Sequence, residues 1–547
     1  MENKVINKRM AVGLILAAII LGGIFLRTYH FHDWLRFNAD QSRDAAIVSD
    51  VLQGETPLPL LGPKAGGTEF KLGPVFYYFE IGAAKIFGSS PDKLAYPDLF
   101  FSILSIPLIF FLLKKYFSSN LSLALTALYS LSFYAVRYSR FAWNPNSIPF
   151  WMLLMFYSVL EIAGNNNWGK KKILWSLTGG LALGVAVQLH TLLLVTLPAF
   201  FLVIFGYILA KNIPLKRYFG IILAIALIVN IPQILNEFQT KGSNIKAFFK
   251  GTETKKVVGT KSSVAANSLV VASACSIQAS GYIVSGNVDS DECTLLKTGQ
   301  RIKKYSQDPT KIKYIFLLAA ETLFSLIFFS GGIALLIRAL RSETDLSRKN
   351  LLVLIALYTS LFFLVLVAVS REISMRFYLP ITFVPFIFLG LWLDFFKRNL
   401  KARKIRSGAI VFGILLVTNL LVIYKEFSVL AQNRTPKGNL DYVTLGEVEG
   451  IAHFIGDNSA ETKYAVIDGR GPYISKFIKP IQYITAEQGL KVEVNNQKVS
   501  QQNPRNKIFY IMHRQESNDS IARTLGNSQL IGKQQVGRFL VVESEKQ

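Results

Sequence analysis

Charged residues and cysteine are both scarce in this sequence. Asp, Glu, Lys and Arg make up 17% of the 547 residues, whereas hydrophobic residues make up 51%. That balance excludes an ordinary soluble enzyme of this length. The 2 cysteines are too few to complete a tetrahedral thiolate zinc site. A Walker loop and a dinucleotide glycine fingerprint are also missing, so neither ATP coupling nor the use of a nucleotide sugar is expected.

Long apolar runs take the place of the missing charge. With about 20 apolar residues for each span, the sequence predicts a mainly α, polytopic membrane protein with about 11 transmembrane helices. The centres of these runs lie near residues 18, 104, 128, 155, 181, 200, 226, 325, 360, 386 and 415.

The basic residues are grouped between the apolar runs. The chain has 60 Lys and Arg against 35 Asp and Glu, a formal net charge of +25. In a membrane protein such groups set the orientation and attract anionic lipid, so membrane lipids are predicted partners and nucleic acid is not. The positive-inside rule assigns the connections that hold Lys114, Lys170 and Lys397 to the cytoplasm. Four regions are then extracytoplasmic: 28–94, 137–147, 237–311 and everything after 424.

Two domains follow from this orientation: a transmembrane module over residues 1–424 and a small extracytoplasmic α/β domain over residues 425–547. The second domain has strand-like runs at 464–467, 481–484, 508–511 and 539–542, and helical patterns at 448–455 and 520–525. The outer loop 28–94 holds aromatic-rich segments at 76–79 and 81–87 that are typical of interfacial helices. Both cysteines fall in the outer loop 237–311, where an oxidising compartment favours a Cys275–Cys293 disulfide.

Polar and basic motifs gather in the outer regions. They are Asn38-Ala39-Asp40-Gln41-Ser42-Arg43-Asp44, Lys71-Leu72-Gly73-Pro74-Val75-Phe76-Tyr77-Tyr78, Arg137-Tyr138-Ser139-Arg140-Phe141-Ala142-Trp143-Asn144-Pro145-Asn146 and Arg376-Phe377-Tyr378-Leu379-Pro380. Carboxylates beside a membrane face are costly unless they are solvated, paired or used. A carboxylate that faces several guanidinium groups suits one class of reaction, in which a base deprotonates an acceptor hydroxyl while cations neutralise a departing lipid phosphate.

These motifs, together with Gln188-Leu189-His190, resemble those of the dolichyl-phosphate-mannose protein mannosyltransferase superfamily, which includes the aminoarabinose lipid A transferases. The resemblance covers residues 10–400 and is strongest in the first 200. It implies a mannosyltransferase-like GT-C enzyme of the cell envelope. Such a hexosyl- or pentosyltransferase moves a sugar from a polyprenyl-phosphate carrier to a hydroxyl of a protein, lipid or glycan, on the outer face of the plasma membrane.

The resemblance also implies the site residues. Relatives have an Asp-Glu pair in the first outer loop, and Asp40-Gln41 falls at that position, where Gln41 cannot ionise. Asp40 is therefore the predicted catalytic base, and Asp44, about one helical turn further on, is a candidate second acid. Binding of the donor phosphate is predicted for Arg137, Arg140 and Arg376. Substrate binding is predicted for Gln41, Tyr77, Trp143, Asn144, His190 and Tyr378.

Simpler roles stay open for several of these residues. They are a helix cap or a pair with Arg43 for Asp40, headgroup contact for the arginines, interfacial anchoring for Trp143 and packing for His190. No cofactor and no metal site is predicted, although the residues leave a divalent metal open.

The alternative function is that of a transporter or flippase of lipid-linked saccharides, which would use the same basic and aromatic cavity without chemistry. Transporters of this kind often show internal repeats with broken helices in matching halves. The sequence shows no such repeat, which favours the enzyme.

Overall fold

The computed structural model describes residues 2–164, 169–253, 261–286, 293, 295–369, 373–399, 402–434, 440, 442–469, 473–495 and 507–546. Helices occupy most of the first 431 residues. They are α1 Glu2–Thr28, α2 Ala39–Leu52, α3 Val75–Phe87, α4 Pro91–Leu94, α5 Tyr96–Lys114, α6 Ser119–Leu131, α7 Phe133–Arg137, α8 Ile148–Ala163, α9 Gly169–Leu189, α10 Thr191–Ala210, α11 Lys216–Val229, α12 Ile231–Gln239, α13 Ser243–Glu253, α14 Lys261–Ser285, α15 Thr298–Ser306, α16 Ile312–Ser342, α17 Leu346–Ala368, α18 Val384–Asn399 and α19 Ala402–Ala431. Short 3-10 helices lie at Leu295–Lys297, Pro309–Lys311 and Met375–Ile381.

Among the described residues, 8 helices are long and apolar enough to cross a membrane, or up to 10 when two bent pairs each form one span. The chain is thus a multi-pass membrane protein, as predicted. The number is lower than about 11 because the runs near residues 128 and 155 form α6 and α8, which have only 13 and 16 residues. A membrane helix needs about 20 residues.

The region 237–311, expected to be a loop, contains an apolar helix of its own. Residues Asn267–Ser285 of α14 pass the test for a span, with a mean hydropathy of 1.3 that is the lowest of the 8. The hydropathy of this helix is low because serine is frequent along it, as at Ser276 and Ser280, which are both buried. Cys275 and Cys293 form the predicted disulfide, with their Cα atoms 5.4 Å apart. The chain therefore folds back along α14 after leaving its end.

The C-terminal domain combines α20 Leu445–Asp457, β1 Tyr464–Ile467, α21 Ile474–Glu487, β2 Lys491–Val494, β3 Lys507–His513, α22 Asn518–Leu525, β4 Ser528–Val536 and β5 Phe539–Lys546. The sheet order is β2-β1-β3-β5-β4. Strand β1 pairs in parallel with β2 and β3, and β5 pairs antiparallel with β3 and β4.

Three of the four predicted strands and both predicted helices of this domain are confirmed, but the strand at 481–484 is wrong. Those residues lie in α21, where Phe477, Ile481 and Ile484 are buried on one face. Their spacing of four and three residues is the period of a helix, not of a strand. The last membrane helix also continues to Ala431, beyond the domain boundary expected at 424.

The C-terminal domain is fastened to the segment that leads into α2. Phe37 N donates to Val443 O at 3.0 Å, and Leu445 N donates to Leu35 O at 2.8 Å. Val443 N also donates to the side-chain Oδ1 of Asn38 at 3.1 Å. These bonds place the start of α20 beside the start of α2, so the second domain helps to fix the helix that carries Asp40.

Candidate active site

Helix α2 begins one residue before Asp40, and its first turn is closed by polar side chains. Asn38 N donates to Gln41 Oε1 at 3.0 Å, which satisfies a backbone donor at the helix start. Gln41 Nε2 donates to Ala142 O at 3.1 Å. Gln41 therefore holds the turn and joins it to the segment before Trp143. The substrate contact proposed for Gln41 stays a prediction.

The two acids of α2 have opposite surroundings. The side chain of Asp40 is 54% exposed and accepts from Arg43 Nη1 at 2.9 Å. The side chain of Asp44 is 1% exposed, and both of its oxygens accept from Arg43, at 2.9 and 3.0 Å. Tyr77 Oη adds a bond of 3.0 Å to Asp44. Asp40 can thus reach a solvent-side hydroxyl, whereas Asp44 is enclosed and orients Arg43.

Burial raises the pKa of Asp44 to about 6, although the charge and hydrogen bonds of Arg43 and the bond from Tyr77 act in the opposite direction. Tyr77, predicted to bind substrate, is 3% exposed. Burial and the neighbouring Asp44 raise the pKa of its phenol, so this group stays a hydrogen-bond donor to the carboxylate.

Sequence analysis missed two buried acids beside this cluster. Glu80 lies one helical turn after Tyr77 on α3 and is 1% exposed, and its Oε2 has no hydrogen-bond partner within the part of the chain that the structure describes. Burial, followed by the negative charges of Asp44 and Asp98, raises the pKa of Glu80 well above its usual range. Asp98 is also buried and accepts from Trp143 N at 2.9 Å. An acid inside an apolar helical run, as in Phe76-Tyr77-Tyr78-Phe79-Glu80, is the signal that could have found Glu80.

A second group of predicted residues surrounds Arg376. The guanidinium carbon of Arg376 lies 5.1 Å from the ring centre of Trp143 and 5.7 Å from that of Phe377. Such stacking leaves the edges of the guanidinium available to an anion. A Cβ built on Gly66 would lie 3.8 Å from Arg376 Nη2. The first outer loop therefore passes beside this cation.

His190 and Asn144 lie beside the same group. The ring of His190 packs edge-on against Phe377 at 5.1 Å, and its Nδ1 accepts from Leu192 N at 3.1 Å. Burial, with the charge of Arg376, lowers the pKa of His190 to about 3, so the imidazole is neutral. Asn144 Nδ2 donates to Leu189 O at 2.6 Å. The structure thus brings four predicted residues together in what we call the Arg376 group: Trp143, Asn144, His190 and Arg376.

The acidic cluster and the Arg376 group are neighbours. Gln41 binds the carbonyl of Ala142, and the next residue is Trp143. On the other side, Val75 N at the start of α3 donates to Gln188 Oε1 at 3.2 Å, two residues before His190. The first outer loop therefore runs from the acids of α2 to the Arg376 group.

Three predicted residues lie elsewhere. The guanidinium of Arg140 donates to the carbonyls of Leu26, Arg27, Tyr29 and His30, at 2.7 to 3.4 Å, and so caps the end of α1. Arg137 lines the same 40 Å³ cavity as Arg140, together with Trp34, Glu426 and Tyr442. Tyr378 is buried in the bundle, with its Oη 3.2 Å from Ser276 Oγ. Phosphate or substrate binding by these three residues stays a prediction.

The chain is similar to known proteins in two respects. Residues 71–235 match the family model described as dolichyl-phosphate-mannose-protein mannosyltransferase. None of the curated proteins compared with the chain matches it. Solved structures match over nearly the whole length. ArnT from Cupriavidus metallidurans has a TM-score of 0.53 at 11% identity in the apo state, with 98% of each chain covered.

Two further structures agree. ArnT from the same organism bound to undecaprenyl phosphate has a TM-score of 0.54 at 11% identity, with 97% of each chain covered. The oligosaccharyltransferase AglB from Archaeoglobus fulgidus, in complex with an inhibitory peptide and a dolichol-phosphate, has a TM-score of 0.50 at 10% identity. That match covers 92% of this chain and 69% of the other. Residues 71–235 thus match the family that the motifs predicted, and the chain as a whole has the fold of these solved structures.

Proposed function

We propose that this protein is a membrane glycosyltransferase that moves a sugar from a polyprenyl-phosphate carrier to a hydroxyl acceptor. The main support is the contrast between the two acids of α2: Asp40 is half exposed and Asp44 is buried, and both bind Arg43. The donor class is supported by the family match over residues 71–235 and by the fold shared with ArnT, whose structure holds undecaprenyl phosphate.

In the proposed reaction, Asp40 accepts the proton of the acceptor hydroxyl. The acceptor oxygen forms a bond with the anomeric carbon, and the bond from that carbon to the phosphate oxygen breaks with its electron pair on the phosphate. The products are a glycosylated acceptor and the polyprenyl phosphate. Arg376 balances the charge that collects on the leaving phosphate, since its fixed position requires little reorganisation during the reaction.

The proposed site lies on the outer side of the membrane. The positive-inside pattern puts α2, the Arg376 group and the C-terminal domain outside the cytoplasm. The disulfide between Cys275 and Cys293 supports this side, because disulfides persist in oxidising compartments. Labelling of a cysteine introduced at an exposed position of the C-terminal domain, with a reagent that does not cross membranes, tests the orientation in intact cells.

Transfer is tested directly with the purified protein in lipid nanodiscs. Radiolabelled polyprenyl-phosphate sugars are added with an extract of envelope components, and label is followed from the lipid fraction into a water-soluble or protein fraction. Transfer by the wild type and its loss in Asp40→Asn support the enzyme. In sealed proteoliposomes of the same protein, labelled donor that crosses the bilayer without losing its sugar from the polyprenyl phosphate would instead identify a transporter.

A further inference from the structure

The segment that follows α11 has an apolar face that nothing in the described part of the protein covers. Helix α12 is bent by 56° from α11, and none of its residues is buried. The bend falls at Asn230-Ile231-Pro232, and proline is well tolerated in the first turn of a new helix. The segment therefore leaves the direction of the span without losing its helical form.

The apolar face of α12 continues the outward stripe of α11. Ile228 is 57% exposed on α11, and Ile231, Leu235 and Phe238 follow it on α12, with Phe238 80% exposed. Within α12, the spacings of four and three residues place Ile231, Leu235 and Phe238 on one helical face. Because the stripe of α11 faces lipid in a membrane helix, the bilayer is the surface that continues onto α12.

Helix α13 adds positive charge to the same edge. Residues 240–250 contain three lysines, at Lys241, Lys246 and Lys250, and no acid. Ile245, beside Lys246, is 51% exposed. The acid that precedes them, Glu237, is engaged at the start of α13, where its Oε2 accepts from Ile245 N at 3.3 Å. Exposed apolar side chains next to lysines are the composition of a helix that lies in a membrane interface.

The opposite face of α13 holds the first outer loop. Asn244 is buried, its Oδ1 accepts from Lys71 N at 2.8 Å, and its Nδ2 donates to Lys71 O at 3.0 Å. Phe248 packs edge-on against Phe70 at 5.1 Å. This is the loop that also passes beside Arg376 at Gly66. On α13, Asn244 and Phe248 lie one helical turn apart and bind the loop of the candidate site, whereas Ile245 and Lys246 are exposed.

We propose that α12 and α13 form an interfacial element that binds the anionic surface of the outer leaflet and thereby holds loop 64–71 against the Arg376 group. The occupant of the apolar face is the bilayer itself, identified by the continuous stripe from α11 and by the lysines. The part of the proposal that concerns the loop rests on the proposed function, and the part that concerns the membrane does not.

The membrane contact is tested with nitroxide labels on the full chain. Since both native cysteines are in the disulfide, Phe238→Cys and Ile245→Cys each supply one free thiol. Leu421→Cys, on the outward face of α19, is the control inside the bilayer, and Leu530→Cys, on β4, is the control in water. The ratio of the collision rate with oxygen to the collision rate with a nickel chelate reports the depth of a label in the bilayer. This ratio should place labels 238 and 245 between the two controls. Labels that match Leu530, or that neither reagent reaches, would overturn the membrane contact.

The charge requirement is tested by lipid composition. In vesicles of phosphatidylcholine, addition of phosphatidylglycerol should move label 238 deeper, and each of Lys241→Gln and Lys246→Gln should reduce the immersed population by about fivefold. An immersion that is the same in both lipids would overturn the anionic preference.

The coupling to the site is tested with Asn244→Ala, which removes both bonds to Lys71. Label 238 should keep its depth in this variant while the transfer rate falls and the Michaelis constant for the donor rises. Unchanged transfer at unchanged depth would overturn the coupling. If the wild type itself transfers no sugar, the proposed function has failed, while the labels still decide whether the element binds the membrane.

Discussion

Replacing Asp40 with Asn should lower the turnover number and leave the stability of the protein nearly unchanged. The Asp40→Asn variant keeps the size of the side chain and removes its ability to accept a proton. A positioned general base contributes about 10²–10⁴ in rate, so the turnover number should fall by that factor, equivalent to about 3–5 kcal/mol in the barrier. The salt bridge lost with Arg43 is exposed, with the Asp40 side chain 54% exposed, and is worth less than about 1 kcal/mol. The unfolding temperature should therefore hardly change.

Asp44→Asn is the matched control, because it alters the same arginine from the buried side. Asp44 is 1% exposed and receives three hydrogen bonds. Loss of its charge leaves Arg43 partly buried without its main partner, at a cost of roughly 3 kcal/mol in the free energy of unfolding. The assays are radiolabel transfer in nanodiscs and thermal unfolding of the same preparations. An Asp40→Asn variant with full turnover, or one as unstable as Asp44→Asn, would refute the assignment of the base.

Four further predictions follow from other contacts. Arg376→Ala should lower the turnover number by about 10²-fold, as for the removal of one transition-state donor, and Arg376→Lys should restore only part of it, as measured by single-turnover transfer. Arg140→Ala should destabilise the protein by about 2–4 kcal/mol because four carbonyls lose their donor, with the remaining folded enzyme still active in the transfer assay. Glu80→Gln should leave the unfolding temperature nearly unchanged because burial raises the pKa of Glu80 and so favours the neutral form that glutamine imitates, whereas Glu80→Ala should lower it. His32 lies between Asp92 and Glu449, at 3.5 and 3.0 Å. Burial lowers the pKa of His32, but the two carboxylates outweigh burial and raise it overall, so His32 contributes stability that is complete below its unfolded pKa and is lost as pH rises through its folded pKa. Proteolysis of the domain junction should therefore be faster at pH 8 than at pH 6 in the wild type, and His32→Gln should abolish that difference.

The sequence predicted the structure correctly where a pattern of residues is typical of a single structural element. Apolar length predicted the membrane helices, and the order of the outer motifs predicted the superfamily. The Trp143, Asn144, His190 and Arg376 positions were also predicted as site residues, because they lie in the motifs that carry the family resemblance. Alternation of apolar residues predicted most of the strands in the C-terminal domain.

The features that the sequence did not predict depend on contacts between distant segments. Arginine at the end of a span has the same local pattern whether it binds a phosphate or caps a helix, so only the carbonyls around Arg140 distinguish the two. Helix α14 is so rich in serine that its hydropathy only just marks it as a span, and Ser276 and Ser280 are buried inside the bundle. Glu80 owes its burial to the packing of α3 on its neighbours, and its local sign is an acid within an apolar run. The docking of Val443 on Phe37 joins residues about 400 positions apart.

That last pairing sets an order of events during biosynthesis. The segment that leads into α2 forms hydrogen bonds with residues 443 and 445, which leave the ribosome after every other part of the candidate site. At a synthesis rate of about 5–20 residues per second, the interval between residue 38 and residue 443 is roughly 20–80 s. Throughout that time the membrane helices insert without the contacts that fasten the start of α2. A nascent chain interrupted after α19 would thus be integrated in the bilayer yet unable to turn over a donor.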